Sequence, residues 1–167
     1  MPMHESAMEA ARVFAEKYLS GPSLNVAEIG SRDVNGTMRS IFAGHRYTGF
    51  DIEPGPSVDV VLPDPDRIEA GSRDYLGQFD AVISANTLEH TRRPWRVVSE
   101  MARILKRGGM VFLLVPMPNA HRYHAEPIDC WRCYTEGMRG LFQEAGLETI
   151  ELYEAGDHDT VGIARKH

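Results

Sequence analysis

The sequence predicts an open, doubly wound, mostly parallel α/β sheet closed by a C-terminal antiparallel hairpin, in a single domain over residues 1–167. Short runs rich in β-branched and aromatic residues alternate with segments of helical periodicity. One run, Met110 to Val115, is apolar almost without interruption, as a central parallel strand covered on both faces must be. The last two strand-like runs are joined by a short polar loop, the mark of a hairpin.

Taken in order, Ser6-Ala7-Met8-Glu9 has the form of a capping box. Met8, Ala11, Ala15, Tyr18 and Leu19 then recur at helical spacing until Ser20-Gly21-Pro22 stops them. This helix, within residues 1–22, is expected to pack on the rest of the domain. Leu24 to Ile29 reads as a first strand entering a turn at Gly30, and Thr37 to Phe42 supports a short helix at best. Tyr47 to Asp51, Val58 to Leu62 and Phe79 to Ser84 follow as strands bounded by Gly, Pro or Asp. Only Ile52 to Ser57 separate the second from the third, less than a parallel crossover needs, so the third is expected to be vestigial or irregularly paired. Pro94 opens a helix whose Trp95, Val98, Met101, Ala102 and Leu105 share a face, and Lys106-Arg107-Gly108-Gly109 is expected to end it. After the Met110 run, Thr135 caps a helix carrying Met138, Leu141, Phe142 and Ala145. Leu147 to Tyr153 and Thr160 to Ala164 close the chain across Glu154 to Asp159.

A chain of 167 residues, 43% apolar and 25% charged, can bury a full core without disulfide or metal staples. Asp and Glu number 24 against 18 Lys and Arg, a formal charge of −6, which argues against a nucleic-acid partner. The longest apolar stretch, Met110 to Met117, is far shorter than the roughly 20 residues of a membrane span, and Glu and Arg interrupt Met1 to Ser20 where a signal peptide needs an apolar run. A cytoplasmic protein is the expectation; its oligomeric state is left open. Cys130 and Cys133 are too few for a disulfide framework.

In open α/β sheets the informative residues follow the strands. Glu28-Ile29-Gly30-Ser31-Arg32-Asp33-Val34-Asn35-Gly36 follows the first, and Asp51-Ile52-Glu53 the second. The spacing from Gly30 to Asp51 is close to the roughly 20 residues between a glycine turn and a ribose-binding acid. Asp51 is suited to accept both ribose hydroxyls, Ile52 to lie against an adenine face, and Gly30 to keep the strand end clear for the ligand; Gly30 and Gly36 also read as plain turn glycines. Arg32 stands where a dinucleotide loop needs its second glycine, and Glu28 would repel a pyrophosphate but welcome an ammonium group.

These residues, with Gly49-Phe50-Asp51-Ile52, Phe79-Asp80-Ala81-Val82-Ile83-Ser84, Asn86-Thr87-Leu88-Glu89-His90 and Leu105-Lys106-Arg107-Gly108-Gly109 before an apolar strand, resemble a class I S-adenosylmethionine-dependent methyltransferase of the small bacterial kind called type 11, with a Rossmann-like sheet. The likeness runs from about Leu24 to the end. It implies that Glu28 meets the methionine end of S-adenosylmethionine, that Gly30, Ser31 and Gly36 border it, that Asp51 and Ile52 hold the adenosine, that Asp64 meets the adenine amino group, and that Asn86 belongs to the same site. Leu88-Glu89-His90 and Pro127-x-Asp129-Cys130-Trp131-Arg132 are similar to members found among sugar and polysaccharide biosynthesis enzymes. The expected activity is therefore methyl transfer to a small acceptor, an oxygen of a sugar or an anionic metabolite. An NAD-dependent oxidoreductase and a catalytically silent S-adenosylmethionine-binding module are the alternatives.

Candidates for the proton acceptor are His90, His121, His124 and Asp129, the last three in the loop after the fifth strand where this fold receives its acceptor. His90 reads as readily as a packing histidine before Arg92-Arg93-Pro94. His121-x-x-His124 with Cys130-x-x-Cys133 has zinc-like spacing, but Trp131 and Arg132 inside the cysteine pair argue against it, and no metal is expected. Arg92, Arg93 and Arg96 read as a solvated helix face, Arg122 and Arg132 as partners for an anionic substrate group.

Overall fold

The computed structural model describes residues 5–34, 36–62, 73–118, 123–125 and 127–167. Its elements are α1 (Glu5–Tyr18), β1 (Asn25–Ile29), β2 (Arg46–Asp51), β3 (Val60–Val61), β4 (Phe79–Ala85), α2 (Pro94–Ile104), β5 (Leu105–Pro116), α3 (Thr135–Glu144), β6 (Leu147–Ala155) and β7 (Asp159–Lys166), with single 3-10 turns at Arg73–Tyr75 and Leu88–His90. The strands form one seven-stranded sheet in the order β3-β2-β1-β4-β5-β7-β6. Pairing is parallel from β3 through β5, and β7 runs antiparallel to both its neighbours. After β3 the chain returns to the far side of β1, so the crevice between β1 and β4 is the switch point where such sheets bind ligands.

Both faces of the sheet are buried. On β5, Val111, Leu113 and Val115 point into the layer shared with Val98 and Met101 of α2 and Met138 and Phe142 of α3, whereas Met110, Phe112 and Leu114 point to the opposite face. There α1 lays Ala7, Ala10, Ala11 and Phe14 on the sheet, with the Phe14 and Phe112 rings 5.2 Å apart. Strict alternation with apolar residues on both sides makes the run continuous in sequence.

Several expectations are corrected. Thr37 to Phe42 is not a helix; Met38 and Phe42 are buried from a series of turns, so their i, i+4 spacing reflects two anchor points rather than one helical face. Ser6 lies inside α1 with its hydroxyl buried and without a hydrogen bond among the described residues, so it caps nothing. Tyr134, not Thr135, is the N-cap of α3, and Thr135 instead hydrogen-bonds Glu136. Lys106 to Gly109 does not merely end α2. The pairing of β4 with β5 passes from Phe79–Leu105 to Ala81–Met110, so these residues bulge out of a strand that has already begun. Gly108 takes φ +78° there, and Lys106 reaches back to Asp80 Oδ1 at 2.7 Å.

The short connection between β2 and β3 has a physical explanation. β3 is two residues long, paired Phe50–Val60 and Asp51–Val61, and the loop reaching it doubles back over Gly49 instead of forming a helix. A Cβ on Gly49 would stand 2.2 Å from the Ser57 carbonyl and 2.6 Å from Ser31 Oγ, and Ser57 takes φ +67° to make the turn. Gly49 N–H and carbonyl both bond to Asp59, at 2.7 Å to its carboxylate and 2.8 Å from its amide. Gly49→Ala is expected to destabilise the protein by about 1–3 kcal/mol in denaturant unfolding. Gly44→Ala, with no atom within 4 Å of the new carbon, should be neutral within about 0.5 kcal/mol; equal effects would refute the loop-over-glycine account.

Candidate functional site

The Phe50 carbonyl accepts two backbone N–H bonds from the residues that leave β1, Gly30 at 2.8 Å and Ser31 at 3.1 Å. This draws the loop across the end of β2. Gly30 is required twice over, by φ +81° and because a Cβ would lie 2.1 Å from Thr87 Oγ1. The space it saves is thus filled by Thr87 from beyond β4, rather than left clear at the strand end. Ser31 is buried against Gly49, its hydroxyl unbonded among the described residues. Gly36 takes φ +129° and donates to Asp33 Oδ1 at 2.8 Å, a turn role.

Asp51 closes β2 half-buried. Its Oδ2 accepts Arg32 N–H at 2.9 Å, and its Oδ1 accepts Ile52 N–H at 2.7 Å and Glu53 N–H at 3.3 Å. A carboxylate has about four acceptor positions, so Oδ2 keeps a lone pair and the long Glu53 bond is easily exchanged. Beside it Ile52 is 39% exposed, an apolar side chain presented to solvent at a strand end. Arg32 lies along Gly55 and pairs with Glu53, tying the glycine loop to the β2 loop.

Glu28 is 4% exposed and accepts a hydrogen bond from the Tyr47 hydroxyl. Burial pushes its carboxyl up to about 7, against the opposing pull of Tyr47 and Arg39. Asn86 is one of two non-glycine residues with positive φ among the described residues, at +48°, and its buried Oδ1 has no hydrogen bond there. Such a backbone at the end of β4, beside the switch point, is where strain is tolerated for function. Asp64 and His121 lie outside the described residues.

On the other side of Thr87 a second group of polar residues converges. Residues 127–134 lie as a strap over the Leu88–His90 turn: His90 Nδ1 bonds the Ile128 carbonyl at 2.6 Å, Cys130 N–H donates to the Glu89 carbonyl at 2.7 Å, and Trp131 Nε1–H to the Thr91 carbonyl at 2.8 Å. Beneath it, Glu89 is fully buried, and neither carboxyl oxygen is hydrogen-bonded by another described residue. Its Oε1 is faced by His90 Nε2 at 3.5 Å and His124 Nε2 at 3.6 Å. Burial pushes the Glu89 carboxyl up to about 8, against its own backbone N–H and Arg132, with Asp129 and Asp159 adding to the rise. Glu89 is the site residue that sequence reasoning missed; its one signal is its place beside His90 just after a strand.

Asp129 is bound by Arg132, through Nη2 at 2.8 Å and also Nη1, and by the His124 N–H at 2.8 Å. That holds its carboxyl far below the usual carboxylate range, which makes it a poor proton acceptor. Arg132 is committed to Asp129 rather than held out for a substrate anion. Cys130 is exposed and Cys133 buried, its thiol pushed up to about 11 by desolvation. Among the described residues the group whose ligand atoms converge is Glu89, His90 and His124, without either cysteine. No helix there is long and apolar enough to cross a membrane.

A family model described as a methyltransferase domain matches residues 28–113. An uncharacterized methyltransferase of Mycobacterium bovis is 32% identical over 88 residues, covering 42% of this chain and 34% of that one, so the chain spans about a third of that relative's length. The ubiquinone biosynthesis O-methyltransferase of Thiobacillus denitrificans is 32% identical over 115 residues, covering 60% and 48%. Among solved structures, the 1,6-didemethyltoxoflavin-N1-methyltransferase of Burkholderia thailandensis, with S-adenosylhomocysteine bound, superposes with TM-score 0.73 at 20% identity over 97% of this chain and 79% of that one. The [4+2]-cyclase SpnF superposes with TM-score 0.72 at 14% identity, over 99% and 84%. At these identities the structures establish the fold alone.

The Glu28 carboxyl makes stability depend on pH. An acid whose pKa is raised by folding, here from 4.5 to about 7, contributes stability that is full below pH 4.5 and is lost as pH rises through 7. The unfolding free energy of the protein minus that of Glu28→Gln should therefore fall by up to about 3 kcal/mol between pH 4.5 and 7 and level off above. A flat difference measured by denaturant titration would mean that Glu28 ionises freely in the fold.

Proposed function

Because the chain belongs to the methyltransferase-domain family, we propose that it transfers the methyl group of S-adenosylmethionine to an oxygen of a small polar acceptor, of the sugar class. The observation that carries this reading is the end of β2, where Asp51 keeps lone-pair capacity beside the solvent-facing Ile52. When bound, the cofactor supplies an electrophilic methyl group on a sulfonium.

The residues at the switch point fit that group. Asp51 accepts the ribose hydroxyls, by hydrogen bonds to a charged acceptor worth about 1.5–3 kcal/mol. Ile52 covers one face of the adenine. Glu28 offers a buried negative charge to the ammonium of the methionine end, and the glycine loop with Ser31 and Gly36 borders it. Asn86 and Thr87 separate this half from the acceptor half, which the strap and the Glu89 cluster form. His90 and His124 are the imidazoles on the acceptor side, and Asp129 positions His124. The O-methyltransferase among the relatives supports an oxygen acceptor.

The loop argues against a dinucleotide. Arg32 replaces the second glycine and its side chain fills the approach beside Gly55, while buried Glu28 lies where a pyrophosphate would pass. The likeness to a cyclase favours one second reading, that the same pocket serves a cofactor-binding domain with other chemistry or none.

S-adenosylhomocysteine is expected to raise the melting temperature and NAD to leave it unchanged, since a ligand that binds only the native state stabilises it by mass action. Asp51→Ala should weaken S-adenosylhomocysteine binding about 10- to 100-fold in calorimetry. Stabilisation by NAD alone would replace this reading with the oxidoreductase, and unchanged affinity would remove Asp51 from the site.

A further inference from the structure

We propose that Glu89, His90 and His124 hold a divalent cation of the zinc class, which binds and activates the acceptor hydroxyl. The role rests on the methyl-transfer reading above; the site itself rests on geometry. A fully buried carboxylate that no other described residue hydrogen-bonds is costly unless something pairs with it. Two imidazole nitrogens face its Oε1 at 3.5 and 3.6 Å. Those separations are too long for good hydrogen bonds. They are close to the roughly 3.4 Å between ligand atoms set about 2.1 Å from a tetrahedral ion.

The histidines are also oriented for it. A carbonyl can only accept, so the bond to Ile128 fixes the proton of His90 on Nδ1 and leaves Nε2 with its lone pair toward Glu89. The Nδ1 of His124 faces the Asp129 carboxylate at 3.6 Å while its Nε2 faces Glu89. Carboxylate or carbonyl behind Nδ1 and metal before Nε2 is the usual arrangement around an imidazole-bound ion. The surrounding charge suits a cation, with Asp129 and Asp159 acting on Glu89 against Arg132.

Two imidazoles and one carboxylate leave a coordination position for substrate, as in catalytic rather than structural sites. His124, with its side chain 44% exposed, forms the open edge. An acceptor hydroxyl bound to the ion has its pKa lowered and releases its proton to solvent. Its oxygen then bonds the methyl carbon as the carbon–sulfur bond breaks, the electron pair staying on sulfur.

The test is titration of the chelator-treated protein with Co²⁺, read by its visible absorption, and with Zn²⁺ in a calorimeter. One ion per chain is expected, with affinity at least about 100-fold weaker in Glu89→Gln, which keeps the buried shape, and in His124→Asn. Asp129→Asn should weaken it about 10- to 100-fold. S-adenosylhomocysteine affinity should be unchanged in all three variants. No saturable binding, or equal binding by the variants, overturns the site. If the ion binds but S-adenosylhomocysteine does not, the site stands and the methyl-transfer reading fails.

Discussion

The Phe50 carbonyl, holding the N–H groups of Gly30 and Ser31 together, is the contact on which the site depends. It ends β1 by bending the chain over β2 instead of letting it run on between its neighbours. The Arg32 amide then caps Asp51, Arg32 pairs with Glu53, and the turn leaves Gly30 flush against Thr87. Thr87 in turn fixes the start of the segment that carries Glu89 and His90. The two halves of the site, one at β1 and β2 and the other after β4, thus share a single packed junction across the crevice where the strand order reverses.

Much of this was legible in the sequence because it rests on local patterns. The strands of a sheet covered on both faces show as apolar runs, and β1, β2 and β4 lie within a residue of where those runs place them, whereas β5 begins before its run, at Leu105. The glycine-to-acid spacing pointed to Asp51, which closes β2 beside the glycine loop. Legibility fails where one pattern serves two structures. Met38 and Phe42 sit at helical spacing yet are separate anchors of a turn, and the left-handed Gly108, expected to end a helix, belongs to a bulge that returns the chain into β5. Glu89 was unreadable for a different reason. Its burial comes from a strap some forty positions further along, and no local periodicity encodes a contact of that length.

The fold itself does not decide the chemistry. Nearly the same backbone carries an N-methyltransferase and a [4+2]-cyclase, so what distinguishes this chain is the set of side chains at the strand ends. Those side chains are unequal in what they cost. Asp51 is stabilised by three backbone donors and would be tolerated in any strand-end turn. Glu28 is buried but has Tyr47 to satisfy it and Arg39 to balance it.

Glu89 has neither in comparable degree. A buried glutamate that no other described residue hydrogen-bonds is costly, by about 1–3 kcal/mol relative to a satisfied or apolar residue of its shape. The imidazoles facing Glu89 do not repay the cost from 3.5 Å and beyond, and Asp129 and Asp159 increase it. A cation at the centre reverses these signs at once: the carboxylate and the two imidazole nitrogens gain ligand bonds, and the neighbouring carboxylates become stabilising. The proposed cation resolves that imbalance with a charge that arrives with function rather than with folding.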